Sequence, residues 1–113
     1  MSGGHFDYKQ NQIEHIADSI QRIIEKNKKE VKDSDRWHEV WDDRIYYYDY
    51  SDEVIEQFKI AVHKLREARI YAIRIDWLLS GDDGEQTFLE RLKKDLENLK
   101  NLENLENLEK LNK

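Results

Sequence analysis

Between Val54 and Leu79 the apolar side chains fall at Val54, Phe58, Ala61, Leu65, Ala68, Ala72, Ile75 and Leu79, in alternating steps of four and three. That spacing holds one stripe along an α-helix and predicts a long amphipathic helix. A second stripe, Ile70, Ile73 and Trp77, enters in its last turns. The C-terminal half of this helix is therefore apolar on two sides, which places it at the centre of the fold or of an oligomer. Ser51 stands where a cap is needed, with Asp52 and Glu53 in the first turn, where the helix dipole favours negative charge. Gly81 suits the left-handed position just past the helix end.

Upstream, Ile13, Ile16, Ala17, Ile20, Ile23 and Ile24 predict a first helix ending near Asn27. Asp7 is placed to cap it, with Gln10 as the reciprocal capping-box partner. Downstream, Asp83 and Gln86 repeat that spacing, and Phe88, Leu89, Leu92, Leu96 and Leu99 supply the packing face of a last helix. The short Ser80–Asp83 connection makes the last two helices antiparallel neighbours in an αα-hairpin. The expected fold is all-α, a small bundle of three main helices at about 8–28, 52–80 and 84–100, forming one domain over 1–97.

Two stretches break the pattern. Residues 98–113 repeat Asn-Leu-Glu, with leucines at 99, 102, 105, 108 and 111. A strict three-residue step swings the stripe by roughly 60° each time, so it circles the helix and holds no zipper seam. A low-complexity, frayed helical tail is expected there. The connector between the first two helices carries Trp37, Trp41, Tyr46, Tyr47, Tyr48 and Tyr50. Trp37, Val40, Trp41, Ile45 and Tyr48 fit a short helical face, while Tyr46, Tyr47 and Tyr50 do not. Either the rings pack as a connector folded across the bundle, or they form a wall that stacks a planar ligand or makes a binding hot spot.

Composition narrows the function classes. The chain has 25 acidic and 19 basic residues, a net charge of -6, which argues against direct nucleic-acid backbone binding. An acidic surface permits a nucleic-acid mimic that docks on a basic host protein, and it also fits ordinary solubility. With no cysteine, there is no disulfide framework and no thiolate ligand or nucleophile. No apolar run approaches the roughly 20 residues of a membrane span, and the start MSGGHFDY lacks the features of a signal peptide. A cytoplasmic setting without membrane contact is expected.

Candidate chemistry is sparse. His5, His15, His38 and His63 show no metal-ligand pairing, and the Ser80–Glu85 turn has too few oxygens for a calcium loop. No nucleophile or paired-carboxylate pattern occurs, so neither catalysis, a metal nor a cofactor is expected. Arg66, Arg69, Arg74 and Asp76, by contrast, lie within the segment that is apolar on two sides. Arg69 and Asp76 sit on one flank of the main stripe, beside Ile55 and Val62. Such charges either form structural ion pairs or hold an anionic, planar ligand such as a nucleotide. In the second case Arg66, Arg69 and Arg74 bind phosphate, and Trp41, Tyr47, Tyr48 and Trp77 stack the base. His5, beside two glycines, closes over it.

The segments Ser2-Gly3-Gly4-His5-Phe6-Asp7-Tyr8 and Arg74-Ile75-Asp76-Trp77-Leu78-Leu79-Ser80-Gly81-Asp82-Asp83-Gly84-Glu85 resemble a family of small uncharacterised bacteriophage and prophage proteins. The resemblance covers roughly residues 2–97, and the Asn-Leu-Glu tail departs from it. It implies a context in which small acidic helical proteins act by binding, as host-takeover or defence-evasion factors. The expected function is a non-enzymatic protein that counters host immunity by sequestering a small anionic nucleotide signal in the bacterial cytoplasm. The alternatives are an acidic inhibitor of a host defence protein and a structural or regulatory phage component. The double apolar face favours a homo-oligomer, with a dimer first.

Overall fold

The computed structural model describes residues 6–111, with side chains through residue 104. Three helices carry the fold: α1 at Gln10–Lys26, α2 at Asp52–Leu79 and α3 at Glu85–Leu111. The chain is all-α, as the periodicity requires. Both α1 and α3 pack against α2, and among the described residues their backbones do not approach each other. The molecule is an open arrangement on a central helix, measuring 55 × 34 × 22 Å.

The limits of α2 follow from its caps. Ser51 is extended at φ -67, ψ 162, and its hydroxyl accepts from the Val54 N–H at 3.4 Å. At the other end the Ser80 N–H donates to the Asp76 carbonyl, and Gly81 takes φ 83. The Asp82 N–H then reaches back to the Trp77 carbonyl at 2.9 Å, so the last carbonyls are satisfied as the chain turns. That conformation is one that a side chain would strain and glycine adopts at little cost.

The two expected aspartate caps have other roles. Asp7 and Tyr8 take positive φ of 55 and 61, α1 begins at Gln10, and no side chain caps it. The Gln10 side chain instead donates to Asp76 Oδ2 at 3.1 Å, where it satisfies a buried carboxylate. Asp83 is likewise buried, and its oxygens face Arg91 at 2.6 Å and Arg74 at 4.0 Å. These contacts tie the hairpin turn to both α2 and α3.

The connector is a loop, with no helix at the aromatic run. Its regular parts are a short 3-10 turn at Asp33–Asp35 and backbone pairing between residues 27–31 and 45–48. The Lys28 N–H donates to Tyr48 at 2.7 Å, Tyr47 to Lys29 at 3.0 Å, and Val31 to Ile45 at 2.9 Å. Exposure here does not follow a strand alternation: Tyr47 points inward onto Val31 and Val40, while Ile45, two residues before it, and Tyr46 are exposed. Ring-bearing and β-branched residues suit such a paired edge better than a helix. Arg36 fastens the loop by donating to the Asp42 and Arg44 carbonyls, both at 2.8 Å. The Arg44 hydrogen bond also holds the Asp42 carboxyl down at about 2.

Burial along α2 departs from the apolar stripe. Its buried residues are Ile55, Val62 and Asp76, a line in steps of seven that also passes through half-buried Arg69. This is the flank of the stripe, which α1 meets at Arg69 and Asp76. The stripe itself is left partly open: Val54, Ala68 and Leu79 are exposed. The second stripe meets α3, with Ile70 and Ile73 facing Leu99 and Leu102 across a shared groove. Helix α3 runs unbroken through residue 98 into the Asn-Leu-Glu repeat, whose Glu103 contacts His63 of α2 at 2.5 Å.

Candidate functional site

Helix α2 alternates its neighbours by face, and the charged residues follow. Arg69 faces α1, with its Nε 3.8 Å from Glu14. Arg74 faces α3, where its Nε donates to Asp95 at 2.6 Å and its guanidinium lies 5.0 Å from the Trp77 ring centroid. Arg66 is half-buried and has no ion pair among the described residues. Arg69 Nε and Arg74 Nη1 are buried and make no hydrogen bond.

These side chains share two adjoining grooves between α2 and α3. One, of about 340 Å³, is lined by Arg69, Ile70, Ile73, Arg74, Asp95 and Leu99 among others. The next, of about 270 Å³, adds Arg66, Glu14 and Glu103 and shares Arg69, Ile70, Leu99 and Leu102. Arg66 also borders a third groove of about 370 Å³ toward the C-terminal part of α1, with Gln21, Lys59 and His63. Three expected site residues, Arg66, Arg69 and Arg74, thus line these grooves, and Trp77 joins them through its ring beside Arg74.

The other expected residues lie elsewhere. Tyr47 is 7% exposed, and its hydroxyl donates to Asp35 and accepts from the Lys32 N–H, which commits it to the connector core. The bond to Asp35 raises the Tyr47 pKa above its ordinary value. Tyr48 is half-buried, and its ring stacks on Tyr50, which tilts against Phe58 near the start of α2. Trp41 is 73% exposed on the connector surface. Since α2 has 28 residues, these rings and the Arg74–Trp77 pair sit near opposite ends of a helix roughly 40 Å long. His5 lies outside the described residues. One ring wall cannot therefore serve all three arginines in a single chain.

Lys59, His63 and Gln21 were not singled out by sequence. The signal was present, because Lys59, His63 and Arg66 are spaced i, i+4 and i+7 and share a helix face. It was hidden because charged side chains at that spacing ordinarily mark solvated surface. Among the described residues no three metal-ligating side chains converge, and no helix is long and apolar enough to cross a membrane. Comparison of the chain with protein-family models, curated protein sequences and solved structures gave no match.

Proposed function

We propose that this chain is a non-enzymatic, phage-type binding protein that counters host immunity by sequestering a small anionic nucleotide. The observation that carries this reading is the row of Arg66, Arg69 and Arg74 along adjoining grooves, with Arg74 over the indole face of Trp77. Guanidinium groups attract phosphate, and Ile70, Ile73 and Leu99 offer an apolar floor for a base. The phage context comes from the sequence resemblance, and a cytoplasmic signal sets the compartment.

The working unit in this reading is a homo-oligomer, with a dimer first. The chain exposes 8620 Å² where a compact monomer of its mass exposes about 6,600 Å². Its radius of gyration is 18.2 Å where about 13 Å is usual for this length. The excess is of the order that a stable protein interface removes. Assembly would also allow rings of one chain to approach arginines of another.

A second reading is favoured by one feature. Trp37, Trp41 and Ile45 are more than half exposed on a hydrogen-bonded connector of an acidic chain, which suits docking on a basic host protein. A thermal-shift screen against cyclic dinucleotides, cyclic oligonucleotides and ADP-ribose derivatives separates the two. A ligand at 100 times its dissociation constant adds about 2.7 kcal/mol and moves the melting point by several degrees. A flat panel with a cooperative melt sinks those ligands, and a stoichiometric host protein in a pull-down would then support docking.

A further inference from the structure

We infer that the anionic end of the ligand is held by Arg66 with Lys59, in the groove between α1 and α2 that His63 and Gln21 also line, and not by Arg69 or Arg74. The identity of the ligand as a nucleotide rests on the reading above, whereas the anion site rests on charge and placement. Arg69 and Arg74 already face Glu14 and Asp95. A phosphate arriving there must displace a carboxylate from each. Arg66 has no such competitor among the described residues, and it stands where two grooves meet.

The surroundings of Arg66 suit an anion. Lys59, His63 and Lys64 line the same groove of about 370 Å³, and Gln21 reaches it from α1. Among the described residues the carboxylates lining it are Glu56 and Glu103, and His63 engages Glu103 at 2.5 Å and stands 3.6 Å from Glu67. Val62, 4% exposed, closes the floor, so the charges stand over a partly dehydrated base where their attraction is less screened. A guanidinium fork and an ammonium on one helix face match the spread oxygens of a diphosphate or phosphodiester. From Arg66 the neighbouring groove leads past Ile70 and Leu99, an apolar path for the attached nucleoside.

The test is calorimetric titration of the full chain with inorganic pyrophosphate and, separately, with a cyclic dinucleotide. Arg66→Gln should weaken pyrophosphate binding about tenfold or more, and Arg66→Lys should weaken it less. Arg22→Gln, which removes an exposed arginine of α1 outside this groove and is checked for folding by circular dichroism, should keep the affinity within about twofold of the unchanged chain. Amide shifts in the unmutated chain should centre on Gln21, Lys59, His63 and Arg66, which tests the site even if a variant unfolds. No pyrophosphate binding at millimolar concentration, or shifts centred on Arg69 and Arg74, would overturn the inference. Dinucleotide binding that ignores Arg66→Gln and is lost in Arg69→Gln also overturns it while leaving the nucleotide reading intact. Pyrophosphate binding through Arg66 without any dinucleotide binding upholds the anion site and ends that nucleotide as a candidate.

Discussion

Asp76 has no exposed surface, and a carboxylate at that depth must be met by donors. The Phe6 N–H at 3.3 Å and the Gln10 amide at 3.1 Å do so, which ties the segment before α1 to the last turns of α2. Asp76→Ala leaves those donors without their acceptor and should cost about 1–3 kcal/mol. Asp76→Asn keeps one acceptor oxygen and should cost less. Urea unfolding midpoints of the two variants check the order, and equal midpoints would remove Asp76 from this role. Tyr47 poses a second question at this scale. Hydrogen bonding to Asp35 raises its folded pKa above the unfolded value of about 10. Its contribution to stability is therefore complete below that pH and is lost as pH rises through the folded value. In an ultraviolet titration Tyr47 should ionise above the ordinary tyrosine range, and that late step should vanish in Tyr47→Phe.

Among the elements, α2 depends on its caps and the connector on its backbone pairing. Ser51→Ala removes the acceptor for the Val54 N–H and should destabilise the chain by about 1 kcal/mol, read from its melting temperature. No change would mean that packing alone fixes the start of α2. Both ends of α2 were legible, since a hydroxyl before an acidic first turn and a glycine after the last leucine act locally. Asp7 and Asp83 were misread for the opposite reason. Their spacing fits a cap, yet each lies where three-dimensional neighbours make other demands: Gln10 is drawn to Asp76, and Asp83 to Arg91 and Arg74. The aromatic run was ambiguous because its apolar residues fit a helical step in part and a strand alternation in part. Pairing with residues 27–31, remote in sequence, resolved it.

For the whole molecule, the open packing of two helices on a third leaves apolar side chains of α1 and α2 exposed. Ile16 and Leu79 are 52% and 54% exposed, and Ala68 is exposed as well. If those side chains are where chains meet, light scattering should give a mass that is a multiple of 13.7 kDa, and Ile16→Glu should lower it. A monomer at micromolar concentration would sink the oligomer. The sequence argument for assembly used Ile70, Ile73 and Trp77, and α3 now accounts for Ile70 and Ile73. The tail also changes standing: Leu99, Leu102 and Glu103 belong to the α2–α3 contact.

By itself the sequence determined the number of long helices, their order, the all-α class and the caps at Ser51 and Gly81. These follow from interactions within a few residues along the chain, which periodicity and residue type record directly. Tertiary structure decided which face of α2 is buried. The line Ile55, Val62, Arg69 and Asp76 is less apolar than the neighbouring stripe, yet it is the line that α1 meets, through Glu14 at Arg69 and Gln10 at Asp76. It also decided how the arginines divide, because ion pairing depends on carboxylates supplied by other helices. Glu14 comes from α1 and Asp95 from α3, and no spacing within α2 could reveal that Arg66 receives neither.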